Sequence, residues 1–374
     1  MSGVMSGAPV LIMAGGTGGH VFPALAIARA LRQRNEAVVW LGTERGLEAR
    51  VVPTENIPLE TVRVQGLRGK GLLSWIAAPL RILVAVVDAV RVLRRCQPKV
   101  VLGMGGYTAG PGGVAAWLLR RPLVIHEQNA VAGLTNRLLA GFAREVLEAF
   151  PGSFSAGVKT RVTGNPVRAD IIALPPPAER FAGRHGQLRL LVLGGSQGAR
   201  ALNETVAAAV ALLPPEHRPE IRHQAGDATR PVAEAAYRSA AVDARVVSFI
   251  SDMAEAYGWA DLVLARSGAL TVAELAAAGV GAVLVPFPAA TDDHQTRNAA
   301  FLVDAGAATL LPQAGLTAER LAAELRTYIG DRDLALTRAR KARALAMPGA
   351  TEAIVGACLA AGAASGMSRS TTHA

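Results

Sequence analysis

The sequence has little cysteine, few aromatic residues and no long uncharged apolar run. Its two cysteines, Cys96 and Cys358, cannot build a disulfide framework or a zinc cluster, and they favour a reducing cytoplasm. Aromatic residues make up only 4% of the chain, which disfavours a base-stacking RNA surface or a carbohydrate platform of tryptophans. The first residues lack the basic and apolar regions of a signal peptide, so secretion is not indicated. Charged residues interrupt Leu72–Leu93, so we expect no transmembrane helix.

The remaining composition is that of a basic globular protein. Of its 374 residues 51% are hydrophobic and 18% charged, which predicts sizeable cores and, at this length, two domains. Lysine plus arginine exceeds aspartate plus glutamate by 39 − 29 = 10. Acidic partners are therefore expected, and nucleic acid, anionic lipid and phosphorylated substrates all qualify.

The hydrophobic pattern predicts two α/β units in tandem. Apolar strands alternate with helical stretches, which is typical of parallel sheets covered on both faces. We predict strands at Pro9–Met13, Val38–Gly42, Val100–Gly103, Leu123–Glu127 and Glu145–Phe150, and again at Leu188–Gly195, Ile221–Ala225, Val246–Ile250, Leu262–Ala265, Ala282–Phe287 and Ala308–Leu311. The first helix is expected from about Pro23, and a proline-rich exposed linker over 171–186. Ligands should gather at the carboxyl ends of the strands, in a cleft between the two units.

Three glycine-rich segments each follow a predicted strand: GGTGGH (Gly15–His20), GMGGY (Gly103–Tyr107) and GGSQGAR (Gly194–Arg200). Glycines let backbone N–H groups approach a phosphate, and a following helix adds its positive end. None of the three fits the dinucleotide or P-loop pattern, and each taken singly is equally a tight turn that binds nothing. Three such segments on the same edge of the predicted sheets favour phosphate binding. His20 then stands where a histidine can take a proton from a hydroxyl, although most lone histidines are structural.

Polar residues also follow later strands. HEQNAVAGLTN (His126–Asn136) can hydrogen-bond a sugar or orient a catalytic group, or it can simply cap a helix. Ser267 and Gly268 open a helix that can receive a diphosphate, with Glu274 one turn on to accept hydrogen bonds from ribose hydroxyls. The DDHQTRNA segment suits sugar hydroxyls. Asp331–Asp333 (DRD) is interpreted as a cap and turn, and we expect no metal site.

A membrane-facing surface is expected on an apolar helix that also carries basic residues, and on the segment that precedes this helix. Arg81, Asp88, Arg91 and Arg95 share one helical face among Ile, Leu, Val and Ala, and a core helix with a solvated stripe is the alternative interpretation. Basic and apolar residues precede it in a glycine-broken segment, which suits an anionic bilayer surface. The residues expected to contact the membrane are Arg68, Lys70, Leu72, Leu73, Trp75 and Ile76.

The motifs GGTGGH, GMGGY, HEQNAVAGLTN, GNPVR, GGSQGAR, RSGALT and DDHQTRNA, taken in this order over roughly 9–299, resemble those of the MurG family of peptidoglycan glycosyltransferases. The resemblance implies a GT-B fold of two Rossmann-like domains. It also implies inverting transfer of N-acetylglucosamine from UDP-N-acetylglucosamine to the C4 hydroxyl of the muramoyl sugar of lipid I, giving lipid II and UDP, with no cofactor. The expected location is peripheral, on the cytoplasmic face of the inner membrane, with other cell-wall synthesis proteins as candidate partners and no nucleic acid.

Domain and residue roles follow from the same resemblance. It implies an acceptor-binding, membrane-associating domain over 1–166, a UDP-sugar-binding domain over 167–350, and a C-terminal helix with a flexible tail over 351–374. His20 would be the catalytic base. Donor contacts would come from Thr17, Gly18, Gly19, Asn129, Arg168, Ser196, Ile250, Ser267, Gly268, Ala269, Leu270, Thr271, Glu274, His294 and Gln295. Acceptor contacts would come from Gly15, Gly16, Gly105, Gly106, Tyr107, His126, Glu127 and Asn136. The family often has two glutamines where this chain has His294 and Gln295.

Two other functions are compatible with parts of the sequence. A UDP-N-acetylglucosamine 2-epimerase shares the two-domain cleft and the nucleotide, but it has no use for a membrane-facing surface. A nucleic-acid-binding protein would explain the charge of +10. However, the basic residues are dispersed and no DNA- or RNA-binding motif is present.

Overall fold

The chain folds into two compact units in the computed structural model, which describes residues 7–64, 78–195, 199–288 and 293–370. One unit is formed by Val167–Pro348. The other is formed by the chain on both sides of it, so that the residues after Pro348 rejoin the N-terminal part.

The first unit is built on a parallel sheet of seven strands in the order β3-β2-β1-β4-β5-β6-β7. Its strands are β1 (Val10–Met13), β2 (Val38–Gly42), β3 (Leu59–Thr61), β4 (Val100–Gly103), β5 (Leu123–Glu127), β6 (Glu145–Glu148) and β7 (Arg161–Val162). Its first helices are α1 (Gly18–Gln33), α2 (Leu47–Val51), α3 (Ala78–Cys96), α4 (Ala109–Leu118) and α5 (Leu134–Leu139). The strand order reverses between β1 and β4, which is where open α/β sheets bind ligands.

The apolar strands are explained by burial on both faces of this sheet. Val10 and Ile12 point into one core, while Leu11 and Met13 point into the core on the other face. Since successive side chains of a strand alternate in direction, every residue of β1 is buried and the strand is an uninterrupted apolar run.

The second unit repeats the plan with a parallel sheet of six strands in the order β10-β9-β8-β11-β12-β13. Its strands are β8 (Arg189–Leu193), β9 (Glu220–Gln224), β10 (Arg245–Val247), β11 (Leu262–Ala265), β12 (Gly281–Leu284) and β13 (Ala308–Leu310). Its helices are α6 (Ala169–Ile172), α7 (Pro177–Phe181), α8 (Arg200–Ala211), α9 (Arg230–Ser239), α10 (Met253–Trp259), α11 (Ala269–Ala278), α12 (His294–Val303), α13 (Ala318–Gly330) and α14 (Arg332–Ala344). The reversal of strand order lies here between β8 and β11.

The helix after the second unit, α15 (Ala350–Ser370), packs on the first unit against α1 and β4. Ile354, Val355 and Cys358 are fully buried in the same core as Val10 and Ile12. We expected the last residues to be frayed, whereas the helix continues to Ser370. The expected tail beyond it, 371–374, lies outside the described residues.

Two expectations about local structure were wrong. The first helix begins at Gly18 rather than near Pro23, because Pro23 is accommodated inside the helix. The stretch 171–186 is not a simple exposed linker, since it contains α7 and its arginines bind the protein. Arg180 donates to the carbonyl oxygens of Ala278 and Gly279 at the end of α11, both at 2.6 Å, and Arg184 pairs with the fully buried Asp261. No helix within the described ranges combines the length and apolar content needed to cross a membrane.

Candidate active site

In the first unit, the loops that follow β1 and β4 are in direct contact. A Cβ atom at Gly106 would lie 2.2 Å from the carbonyl oxygen of Gly15, and one at Gly105 would lie 2.9 Å from the imidazole of His20. Both glycines have positive φ angles, +86° and +82°, that other residues rarely adopt. Tyr107 extends from the second loop past Gly16 with 52% of its surface exposed. Glycine is thus required here for conformation and for close approach.

The start of α1 presents backbone donors to solvent. Thr17 is the N-cap residue, in an extended conformation, and its hydroxyl makes no capping hydrogen bond to any described residue. In the first turn the N–H groups of His20 and Val21 donate to the carbonyl oxygen of Thr17, which leaves those of Gly18 and Gly19 for a ligand. N–H groups at the positive end of a helix dipole can receive a phosphate. The role expected for the GGTGGH segment stays a prediction.

His20 is joined to the polar cluster after β5. Its Nδ1 lies 2.8 Å from Oε1 of Gln128, whose Nε2 lies 3.0 Å from Nδ1 of His126. Nε2 of His126 in turn lies 3.0 Å from the carbonyl oxygen of Gly164. The structure therefore brings the segments from β1, β4 and β5 together at the carboxyl edge of the sheet.

The other polar residues of this cluster hold their own loop. His126 is fully buried, and burial lowers its pKa to about 4, so it is neutral at physiological pH. Glu127 accepts hydrogen bonds from the backbone N–H groups of Asn129 and Gly133 at 2.9 and 3.0 Å, and from the side chain of Asn136 at 2.8 Å. The direct acceptor contacts expected from His126, Glu127 and Asn136 stay a prediction. In the structure all three side chains are buried and hydrogen-bonded within the protein.

Glu48 is a residue of this site that sequence reasoning missed. It is fully buried and accepts hydrogen bonds from the backbone N–H groups of Gly16 and Thr43 at 3.1 and 3.0 Å, and from the Thr43 hydroxyl at 2.7 Å. Glu48 thereby fixes the glycine loop at its sharpest turn. Only its position after the carboxyl end of β2 could have indicated this, because its partner Gly16 lies 32 residues away.

In the second unit, the loop after β11 opens α11 in the same way. Ser267 is fully buried, and its hydroxyl oxygen has no hydrogen-bond partner among the described residues. Gly268 is the N-cap in an extended conformation, followed by Ala269, Leu270 and Thr271 in the first turn. Asn298 of α12 donates to the carbonyl oxygen of Ser267 at 3.2 Å and holds the loop. An unpartnered hydroxyl at the start of a helix is an arrangement that can receive an anion.

Glu274 lies on the second turn of α11, where it is partly buried. Tyr257 donates to its carboxylate at 3.0 Å, and the charge of Arg168 acts on it. Burial raises the pKa of Glu274, although the Tyr257 hydrogen bond and the Arg168 charge oppose the shift. Burial raises the pKa of Tyr257, and the nearby charge of Glu274 raises it further. The Tyr257 hydroxyl therefore keeps its proton and remains a hydrogen-bond donor. Arg168 and Glu274, assigned to the donor from sequence, are thus brought together.

The other residues that were expected to bind the sugar donor make fewer contacts with one another. Gln295, near the start of α12, accepts a hydrogen bond from the backbone N–H of Phe287 at 2.8 Å, and the partly buried His294 precedes it. Ile250 follows the edge strand β10 and is partly buried. Ser196 and the six expected membrane contacts, all within 65–77, lie outside the described residues.

The DRD segment caps a helix, as predicted. Asp331 is the N-cap of α14 and accepts a hydrogen bond from the backbone N–H of Leu334 at 3.1 Å. Across the described residues, no group of three His, Cys, Asp or Glu side chains is arranged to hold a metal ion.

Comparison with known proteins gives a consistent result over both units. Residues 10–148 match the glycosyltransferase family 28 N-terminal domain, and residues 189–354 match the family 28 C-terminal domain. The chain is 57% identical over 351 residues to a Marinobacter nauticus protein, covering 94% of this chain and 97% of that protein. A relative from Alkalilimnicola ehrlichii is 59% identical, covering 94% and 98%. Both are named UDP-N-acetylglucosamine--N-acetylmuramyl-(pentapeptide) pyrophosphoryl-undecaprenol N-acetylglucosamine transferase.

A solved structure is also similar over nearly the whole chain. The crystal structure of Acinetobacter baumannii MurG superposes with a TM-score of 0.84 at 43% sequence identity, covering 94% of this chain and 99% of that one. The two parallel-sheet units and the two matching family domains confirm the expected fold, that of the GT-B glycosyltransferases.

Proposed function

This chain belongs to the MurG family within glycosyltransferase family 28, and we propose that it transfers N-acetylglucosamine from UDP-N-acetylglucosamine to the C4 hydroxyl of the muramoyl sugar of lipid I. The products are lipid II and UDP. One observation carries the proposal: each unit has a helix terminus suited to phosphate, one beside a histidine and the other beside a carboxylate. The decisive assay is release of UDP that depends on a polyprenyl-linked acceptor. Conversion of the UDP-sugar without acceptor would instead favour an epimerase.

The second unit is suited to the donor. The N-terminus of α11, with the unpartnered hydroxyl of Ser267, can bind the diphosphate, and Glu274 can accept hydrogen bonds from both ribose hydroxyls. As the bond between the anomeric carbon and UDP breaks, negative charge grows on the diphosphate. The helix end and Arg168 would stabilise that charge in the transition state.

The first unit is suited to the acceptor. The start of α1 and the loop of Gly105 and Gly106 offer backbone donors to the diphosphate of the lipid. His20 takes the proton of the C4 hydroxyl while that oxygen bonds to the anomeric carbon, and UDP leaves from the opposite side. A single displacement of this kind inverts the configuration at the anomeric carbon.

A peripheral location on the cytoplasmic face of the membrane completes the proposal, and other cell-wall synthesis proteins would be encountered there. Leu80 and Leu83 on α3 are 66% and 58% exposed, and Trp117 at the end of the adjoining α4 is 53% exposed. The exposed side chains of Arg91 and Arg95, paired with Asp88 and Glu60, lie further along the same α3 helix. A helix that carries both exposed apolar side chains and exposed basic side chains favours an anionic bilayer surface. This supports the membrane contact expected for the segment that precedes α3.

We expect Leu80→Glu/Leu83→Glu protein to bind anionic vesicles at least about tenfold more weakly than the unaltered protein, because two apolar side chains are lost and two negative charges gained. Co-sedimentation with phosphatidylglycerol vesicles measures the partition, with neutral phosphatidylcholine vesicles in parallel. Leu212→Glu, an exposed leucine of the second unit, is the matched control. Equal binding by all three proteins would contradict a membrane role for α3.

Glu274→Gln is expected to weaken UDP binding about 10- to 100-fold, since hydrogen bonds to a charged group contribute about 1.5–3 kcal/mol. Titration calorimetry with UDP and 2′-deoxy-UDP tests the ribose assignment, because preference for the 2′-hydroxyl should shrink in the variant. Burial raises the pKa of Glu274, so acidification should weaken UDP binding from a higher pH than for an ordinary glutamate, and more in the wild type than in Glu274→Gln. Glu255→Gln, exposed on α10, is the control. An undiminished preference for UDP over 2′-deoxy-UDP would refute the assignment.

A further inference from the structure

The hydrogen-bonded chain that begins at His20 points to a role for Gln128 that sequence reasoning did not assign. We propose that Gln128 is a positioning residue that keeps His20 protonated on Nδ1, so that Nε2 carries the lone pair that takes the acceptor proton. The proposal rests on the function proposed above for its catalytic meaning. The tautomer itself follows from the contacts of the side chains.

The direction of the chain is fixed from its buried end. The carbonyl oxygen of Gly164 can only accept, so Nε2 of His126, at 3.0 Å, must donate. His126 is fully buried and neutral, so its Nδ1 has no proton and must accept. The group that faces Nδ1 at 3.0 Å is therefore the amide nitrogen of Gln128. That nitrogen also lies 3.0 Å from the carbonyl oxygen of His126, a second group that only accepts.

Once the amide nitrogen of Gln128 is assigned, the far end of the chain is determined. Oε1 of Gln128 faces Nδ1 of His20 at 2.8 Å, and an amide oxygen can only accept. Nδ1 of His20 therefore carries a proton. In a neutral imidazole the other nitrogen, Nε2, then has the free lone pair.

The surroundings restrict the ring further. The backbone of Gly105 leaves no room for a Cβ beside Cε1 and Nδ1 of His20, since that atom would lie 2.9 Å from each. The ring is thus packed on the side where it bonds to Gln128. An amide also orients the imidazole without placing a carboxylate beside it, which matters where the proposed acceptor brings a diphosphate into the same loops.

The tautomer can be measured directly by nitrogen NMR on protein labelled with ¹⁵N in the histidine rings. The chain has seven histidines, and the His20→Ala spectrum identifies the signals of His20. We expect the Nδ1-protonated tautomer in the wild type and in Gln33→Met, an exposed glutamine at the far end of α1. Gln128→Met, similar in shape but without hydrogen-bonding atoms, should show a mixture of tautomers.

A wild-type spectrum with the proton on Nε2 would overturn the proposal, and this outcome requires no variant to fold. A Gln128→Met spectrum identical to wild type would also overturn it. Thermal unfolding of each variant shows whether the fold is retained.

Kinetics give the second readout. In Gln128→Met we expect kcat for lipid I-dependent UDP release to fall at least about tenfold, part of the 10²–10⁴ that general base catalysis contributes, with the KM for the donor unchanged. A loss confined to KM would contradict a positioning role. The NMR experiment contains no substrate, so the two proposals fail separately. The Nδ1-protonated tautomer without acceptor-dependent UDP release would refute the proposed function and leave the tautomer assignment standing.

Discussion

His20→Ala is expected to lower kcat for lipid I-dependent transfer about 10²- to 10⁴-fold, the range associated with loss of a general base. The affinity for UDP should not change, because the proposed function places the diphosphate at the start of α11 and the ribose at Glu274, both in the second unit. UDP release at saturating donor measures kcat, and calorimetry with UDP measures the affinity.

His217→Ala is the matched control, since His217 is an exposed histidine of the second unit. It should retain wild-type kcat. Near-wild-type turnover by His20→Ala would show that another group removes the proton. A loss of UDP affinity would show that the substitution acts beyond the proton transfer.

Gly106→Ala is expected to reduce kcat/KM for the acceptor at least about 100-fold, because a displacement of about 1 Å in a catalytic arrangement costs this much. The new Cβ would lie 2.2 Å from the carbonyl oxygen of Gly15, so one of the two loops must move. His20 follows Gly15 closely and would move with its loop. Steady-state kinetics with varied acceptor measure the change.

Gly152→Ala separates backbone strain from steric conflict. Gly152 has a φ angle of +79°, close to the +82° of Gly106, but nothing lies within 4 Å of its Cβ position. Both substitutions incur the cost of a left-handed conformation, about 1 kcal/mol, but only Gly106→Ala disturbs the loops. If the two variants are equally active, close contact between the loops is not needed for activity.

The sequence predicted the apolar strands well and missed two short edge strands of the first sheet. The bounds of β2, β4, β5 and β11 agree with prediction, because each is an apolar run that both faces of a sheet require. β3 and β7 were missed, since they are short edge strands without an apolar pattern. Arg180 shows a second limit of prediction from sequence, which concerns contacts between distant parts of the chain. Its partners, the carbonyl oxygens at the end of α11, lie nearly 100 residues away and leave no local trace.

The sequence predicted the loops of the candidate site, but not the hydrogen bonds that join one loop to another. Glycine segments and a polar cluster after a strand can be recognised locally, because strand ends on one edge bring them together. Glu48 could not be recognised in this way, because its role depends on a hydrogen bond from Gly16, which lies in another loop. Gln128 was noticed as part of the cluster. Its partner His20, 108 residues away, appears only in the folded chain.

The return of α15 to the first unit has a consequence for biosynthesis. On the ribosome the second unit is translated before Ile354, Val355 and Cys358, which fill the core behind β1. The first unit, although its synthesis begins first, therefore completes its core last. Until then one face of its sheet exposes apolar side chains, and such a state is prone to aggregation. A nascent chain arrested before Ala350 is expected to resist proteases over the second unit while the first remains sensitive.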